Sequence, residues 1–124
     1  MNEPKQILIV EDDRFLARAY EHAFEKLNCK LSVMFDGEGV VEAVEKLQPV
    51  IILLDILLPK KDGFTILKEL KANPKTKSAP VVIASNLGQD EEVKKGLQLG
   101  ADAYIIKSES SMADVVATVK KYLD

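Results

Sequence analysis

Glu11, Asp12 and Asp13 follow directly on one apolar run of this 124-residue chain, Asp55 follows a second, Ser85 a third and Lys107 a fourth. Brought to one place, these residues would join acids, a hydroxyl and an ammonium in one small polar pocket. Like carboxylates a few ångströms apart resist joint ionisation. A divalent cation removes the conflict by supplying the missing positive charge. The donors are oxygen atoms, with no His or Cys beside them. That set argues against zinc and for Mg²⁺, which binds through one or two carboxylates and completes its shell with water and phosphate oxygens; Mn²⁺ is the alternative ion. A metal beside a carboxylate nucleophile, with a lysine and a hydroxyl opposite, is the equipment of phosphoryl transfer. In that chemistry Lys107 neutralises charge on the phosphoryl oxygens and Ser85 donates a hydrogen bond to one of them.

Asp55 poses the sharpest question, because five apolar residues, Val50 to Leu54, precede it and Ile56, Leu57 and Leu58 follow. An unpaired carboxylate in a dry core costs several kcal/mol even after relaxation. Asp55 therefore stands at an edge that the core leaves open, or it meets a charge there.

The elements that must position these residues are legible as five apolar runs, Gln6–Val10, Lys30–Phe35, Val50–Leu54, Val81–Ala84 and Ala103–Ile106. They are rich in Val and Ile, and most are apolar at consecutive positions, as in parallel strands buried on both faces. Helical periods lie between them. Phe15, Leu16, Ala19, Tyr20, Ala23, Phe24 and Leu27 form one stripe, Val40, Val41, Val44 and Leu47 a second, and Met112, Val115, Val116, Val119 and Leu123 a third. Weaker helical signals cover Phe64–Lys71 and Glu91–Leu99. Asp13 and Asp36 stand where N-caps belong, Ser111 with Asp114 reads as a capping box, and Gly100 as a C-terminal glycine. Alternating strand and helix implies right-handed crossovers and a doubly wound parallel sheet, whose functional sites lie outside the carboxyl ends of its strands.

Composition narrows the class. Residues are 47% hydrophobic and 30% charged, and the net charge is −3, a globular balance with no strong field for direct nucleic-acid binding. The Lys-rich stretch from Lys60 to Lys77 also holds Asp62 and Glu69 and reads as a solvated face. Cys29 is the only cysteine and His22 the only histidine. No disulfide or cysteine metal cluster is expected, and His22 reads as an exposed contact on the first helix. No secretory h-region or membrane-length apolar run is present, so a cytoplasmic protein without a membrane partner is expected. Residues 1–124 read as one domain.

The blocks "ILIVEDD", "IILLDILLPKKDG", "VVIAS" and "AYIIK", in this order, resemble the receiver domain of two-component response regulators, the CheY-like family, over essentially the whole chain. The resemblance implies a flavodoxin-like fold with five helices and strand order 2-1-3-4-5. It implies that Asp55 is the phosphoacceptor and that Mg²⁺ is held by Asp12, by Glu11 through water, by Asp55 and by the backbone carbonyl of Leu57. The phosphoryl group would be met by Ser85, Lys107 and the backbone of Asn86, while Ser85 and Tyr104 would be the switch residues that move inward. Asp13 remains the helix cap. The implied donor is a sensor histidine kinase or histidine phosphotransfer protein, and the implied output is a surface offered to a downstream protein, from a monomer or a phosphorylation-dependent dimer. Catalysis would be limited to self-phosphorylation and self-dephosphorylation.

Some positions depart from the commonest family pattern. Ser85 stands in place of threonine, and Asn86 in place of a small residue, where it is expected to crowd the phosphate entrance. Ser108 follows Lys107 where proline is usual, so a different loop path is expected there. Leu57 and Leu87 flank the site with apolar side chains. Other functions are weighed on the same residues. A haloacid dehalogenase-like phosphatase would need an acid where Leu57 stands. A receiver-like scaffold, or a flavodoxin-like binding module, would have no need of the complete acid, hydroxyl and lysine set.

Overall fold

The apolar runs become five parallel strands in the computed structural model, which describes residues 4–123. The chain alternates β1 (Lys5–Val10), α1 (Arg14–Phe24), β2 (Cys29–Met34), α2 (Val40–Leu47), β3 (Ile51–Leu54), α3 (Gly63–Ala72), β4 (Val81–Ser85), α4 (Asp90–Gln98), β5 (Ala103–Ile106) and α5 (Met112–Lys120). The strand order is β2-β1-β3-β4-β5, as the family resemblance implies. β3 is central, and each of its four side chains is buried. Burial of one such aliphatic side chain stabilises by about 1.5–3 kcal/mol.

Successive strand residues point to opposite faces, which divides the core in two. Leu8, Val10, Ile52, Leu54, Val81 and Ile83 pack with Val40 and Val44 of α2 and Ile66, Leu67 and Leu70 of α3. Ile7, Ile9, Ile51, Leu53, Val82 and Ala84 pack with Tyr20 and Phe24 of α1 and Val115 and Val119 of α5. The stripes of α2 and α5 lie where their periodicity puts them.

The α1 stripe needs correction at two positions. Phe15 is 92% exposed and Ala19 is exposed as well, while Ala17 is buried in their place. At about 100° per residue, positions 15 and 19 fall on the side of the helix away from Tyr20 and Phe24. The caps divide similarly. Asp13 accepts from the Phe15 and Leu16 N–H groups, and Ser111 with Asp114 forms the expected capping box. Gly100 ends α4 in a left-handed conformation. Asp36 is not a cap. Its carboxylate accepts from Glu38 N–H at 2.8 Å, closing a turn, and α2 begins only after Gly39, whose left-handed backbone re-aims the chain.

No helix among the described residues is long and apolar enough to cross a membrane.

Candidate functional site

The carboxyl edge of the sheet carries the acids. Backbone bonds fix where they emerge: Glu11 N–H donates to the Met34 carbonyl and Asp55 N–H to the Val10 carbonyl, at 2.9 and 3.0 Å. Both residues are buried, at 2% and 6% exposure, while Asp12 is exposed. One carboxylate oxygen from each of Glu11, Asp12 and Asp55 lies within 4.8 Å of the others. This all-oxygen, electron-rich cluster suits a hard divalent cation.

Asp55 is held on both oxygens. Its Oδ1 accepts from the N–H groups of Ile56 at 2.7 Å and Leu57 at 3.4 Å. Its Oδ2 accepts from Lys107 Nζ at 2.8 Å, and the same ammonium donates to Glu11 Oε1 at 2.5 Å. Glu11 Oε2 accepts from Asp13 N–H at 3.0 Å. The question raised by Asp55 therefore has both answers: it stands at the edge of the core, and a cation meets it. Burial pushes the Glu11 carboxyl above its ordinary value, against the opposing pull of Lys107 and the Asp13 N–H. For Lys107, burial favours the neutral amine, but the bonds to Asp55 and Glu11 outweigh it and raise its pKa.

Opposite the acids, Ser85 is the last residue of β4 and fully buried. Its Oγ accepts from Leu87 N–H at 3.3 Å, which leaves the hydroxyl proton available. The Tyr104 hydroxyl donates to the Leu87 carbonyl, so Leu87 links Ser85 to Tyr104 through its two backbone groups. Asn86 is exposed. Leu57, two residues past Asp55, is 56% exposed, whereas Leu87 packs partly against the core. Lys107 opens a 3₁₀ turn, Lys107–Glu109, and the described chain has no cis peptide bond. With Ser108 in place of proline, the loop proceeds through this turn.

Residues that sequence reasoning treated as bland also shape the pocket. Tyr20, placed in a packing stripe, shares a cavity of about 60 Å³ with Lys107, Leu16 and Met112. Burial pushes its phenol up to about 12. Gly63 begins α3 against the Asp55 backbone. A Cβ there would lie 2.3 Å from the Asp55 carbonyl oxygen. Neither contact has a signal in sequence spacing, because both join residues from different elements. His22 lies well away in character: it is exposed and beside Glu25 on the α1 surface. Cys29 is a free thiol at the start of β2, pushed up by burial.

A doubly wound sheet with acids, a hydroxyl and a lysine at its carboxyl edge defines a class of α/β protein. The profile of the response regulator receiver domain matches residues 7–120, and the chain belongs to that family. It is 30% identical to the chemotaxis protein CheY of Halobacterium salinarum, over 93% of this chain and 96% of that one. It is 39% identical to a gliding motility regulatory protein of Myxococcus xanthus over 84% of this chain, which spans only 13% of that relative. The match to the transcriptional regulator RpaA of Synechocystis, a DNA-binding protein, is 34% identical and covers 94% of this chain and 49% of RpaA. Among solved structures, the Mn²⁺-bound response regulator Rcp1 superposes with a TM-score of 0.86 at 28% identity, covering 98% of this chain and 96% of that one.

Proposed function

We propose that this receiver domain takes a phosphoryl group onto Asp55 from a phosphohistidine and uses the modified pocket to reset a protein-binding surface. The observation that carries the reading is the Asp55 carboxylate itself. It is nearly buried, oriented through Oδ1 by backbone N–H groups and paired through Oδ2 with Lys107, with Glu11 and Asp12 beside it.

An Asp55 carboxylate oxygen attacks phosphorus, the P–N bond to the donor imidazole breaks, and the imidazole leaves with its electron pair and takes up a proton. Hydrolysis reverses the loading: water attacks phosphorus, the P–O bond to Asp55 breaks and inorganic phosphate leaves. Glu11, Asp12, Asp55 and the Leu57 carbonyl would hold Mg²⁺, which when bound supplies positive charge for the developing phosphoryl oxygens. The Mn²⁺ named for Rcp1 supports a divalent cation in this role. Lys107 exchanges a carboxylate oxygen for a phosphoryl oxygen, and the backbone N–H of Asn86 donates to another. Ser85 turns its hydroxyl proton to the same group. Ser85 acts on Leu87, and Leu87 through its carbonyl on Tyr104, so that the phosphorylated form holds Tyr104 on Leu87 and biases the surface of α4, β5 and α5 towards one state. The donor is a sensor histidine kinase or a histidine phosphotransfer protein, and the receiver of the signal is a protein.

Incubation with Mg²⁺ and acetyl phosphate, wild type beside Asp55→Asn, tests the reading by intact mass. Phosphate on the wild type alone supports it. An unmodified wild type points to a scaffold, and turnover of many phosphomonoesters points to a phosphatase.

The apolar side chains of Leu57 and Leu87 cannot orient an attacking water. The phosphorylated form is therefore expected to persist, and Leu57→Asn or Leu87→Glu should shorten its lifetime about tenfold, less than the roughly 10²–10⁴-fold of a general acid or base because these groups would mainly position water. Timed loss of phosphate in excess Mg²⁺ checks this. Equal decay in both variants and wild type would remove the two leucines from the account.

A further inference from the structure

Helix α4 buries only one residue, Gly96, although glycine is the least favourable residue after proline in a helix interior. Its neighbours explain the choice. A Cβ at position 96 would lie 2.7 Å from Ile83 Cδ1 and 3.0 and 3.1 Å from Cδ2 and Cε2 of Tyr104. Ile83 and Tyr104 are paired across β4 and β5, and both meet α4 at this point. The bare backbone at Gly96 forms the floor of a slot, Ile83 forms its wall, and the Tyr104 ring lies in it. In that position the Tyr104 hydroxyl reaches the Leu87 carbonyl, the residue whose N–H bonds Ser85.

We propose that Gly96 is a positioning residue for Tyr104: the missing side chain lets the ring dock against α4 with its hydroxyl on Leu87, and this docked ring is the form that the phosphorylated pocket retains. The inference rests on the proposed coupling of Ser85 to Tyr104 through Leu87. A methyl group at position 96 overlaps the Ile83 tip and presses on the edge of the ring. The isoleucine tip can rotate aside, and the ring edge has to give by a few tenths of an ångström, which draws its hydroxyl off the Leu87 carbonyl. Gly96 therefore sets how readily the ring docks, and with it how readily the pocket accepts a phosphoryl group.

Gly96→Ala separates this role from an ordinary helix effect, because alanine raises helix propensity and a purely structural glycine would leave phosphate recognition alone. Three readouts on the full chain are compared: the thermal midpoint, nuclear Overhauser contacts between the Tyr104 ring and the Ile83 methyls, and the affinity for beryllofluoride in saturating Mg²⁺. Weakened ring contacts with at least about a fivefold loss of beryllofluoride affinity are expected, in line with overpacking costs. In a Tyr104→Ala background, where the displaced ring is absent, the same Gly96→Ala change should alter affinity by less than about twofold. That background also leaves room for the methyl group if Gly96→Ala alone does not fold. Ring contacts unchanged by Gly96→Ala would overturn the slot. An equal affinity loss in both backgrounds would overturn it as well, since the effect would then run through the helix. A displaced ring with unchanged affinity would instead contradict the coupling through Leu87, and Asp55→Asn, which should take up no phosphate in either case, keeps that outcome distinct from a failure of Asp55 as acceptor.

Discussion

Lys107→Met is expected to destabilise the chain by about 3–5 kcal/mol at neutral pH, as loss of one partner from a buried ion cluster does. It is also expected to slow phosphorylation by about 10²-fold, comparable to the loss of one charge-stabilising donor from an active site. Lys107 bridges Glu11 and Asp55, and methionine keeps the length and apolar stem of the side chain while removing its charge. Glu11 is then buried without a cation. Its folded pKa, already raised by burial, rises further once the lowering effect of Lys107 is gone. A carboxyl whose folded pKa exceeds its unfolded value binds its proton more tightly when folded, so stability falls as pH rises from the unfolded value through the folded one. The deficit of Lys107→Met should therefore shrink on acidification towards the ordinary carboxyl range. Urea titrations of both proteins at several pH values measure it. A deficit that grows on acidification would contradict the burial of Glu11 against Lys107.

Gly63→Ala is expected to cost about 2–4 kcal/mol, although an alanine in a helix is ordinarily favoured over glycine by about 1 kcal/mol. The first turn of α3 lies so close to the β3 end that a Cβ would stand 2.3 Å from the Asp55 carbonyl oxygen and 2.7 Å from Ile56 Cα. These are backbone atoms, which cannot rotate aside as a side-chain tip can. Gly63 N–H also donates to the Ile56 carbonyl at 2.8 Å, so any separation of α3 from the loop breaks that bond and shifts Asp55. Thermal unfolding and the phosphorylation rate should suffer together. A raised thermal midpoint would show that the loop tolerates the methyl group.

Much of this arrangement is legible in the sequence because strands buried on both faces are apolar at consecutive positions. Such runs end abruptly in polar residues, and in Val50–Leu54 and Val81–Ala84 the first polar residue is Asp55 or Ser85 itself. The alternation places Glu11, Asp12, Asp55, Ser85 and Lys107 at the carboxyl edge of a doubly wound sheet, and the strand order that gathers them follows from the family resemblance. The misreadings have equally physical causes. Phe15 looks like a core residue by type, but its angle on α1 turns it outward. Asp36 has the chemistry of a cap, yet the chain needs Gly39 to re-aim before α2 begins. Gly63 and Gly96 carry no local signal, because each is required by a backbone or ring from another element. The pairing of Lys107 with Glu11 as well as Asp55 is likewise a matter of tertiary placement.

The central claim is that Asp55 becomes an acyl phosphate. Borohydride reduces an acyl phosphate to an alcohol and leaves free carboxylates and phosphate esters unchanged. After treatment with acetyl phosphate and Mg²⁺ followed by borohydride, peptide mass spectrometry should find reduction at position 55 and at no other acid, and none when the cation is chelated. Reduction at Glu11, Asp12 or Asp13, or phosphate that resists borohydride, would contradict the account.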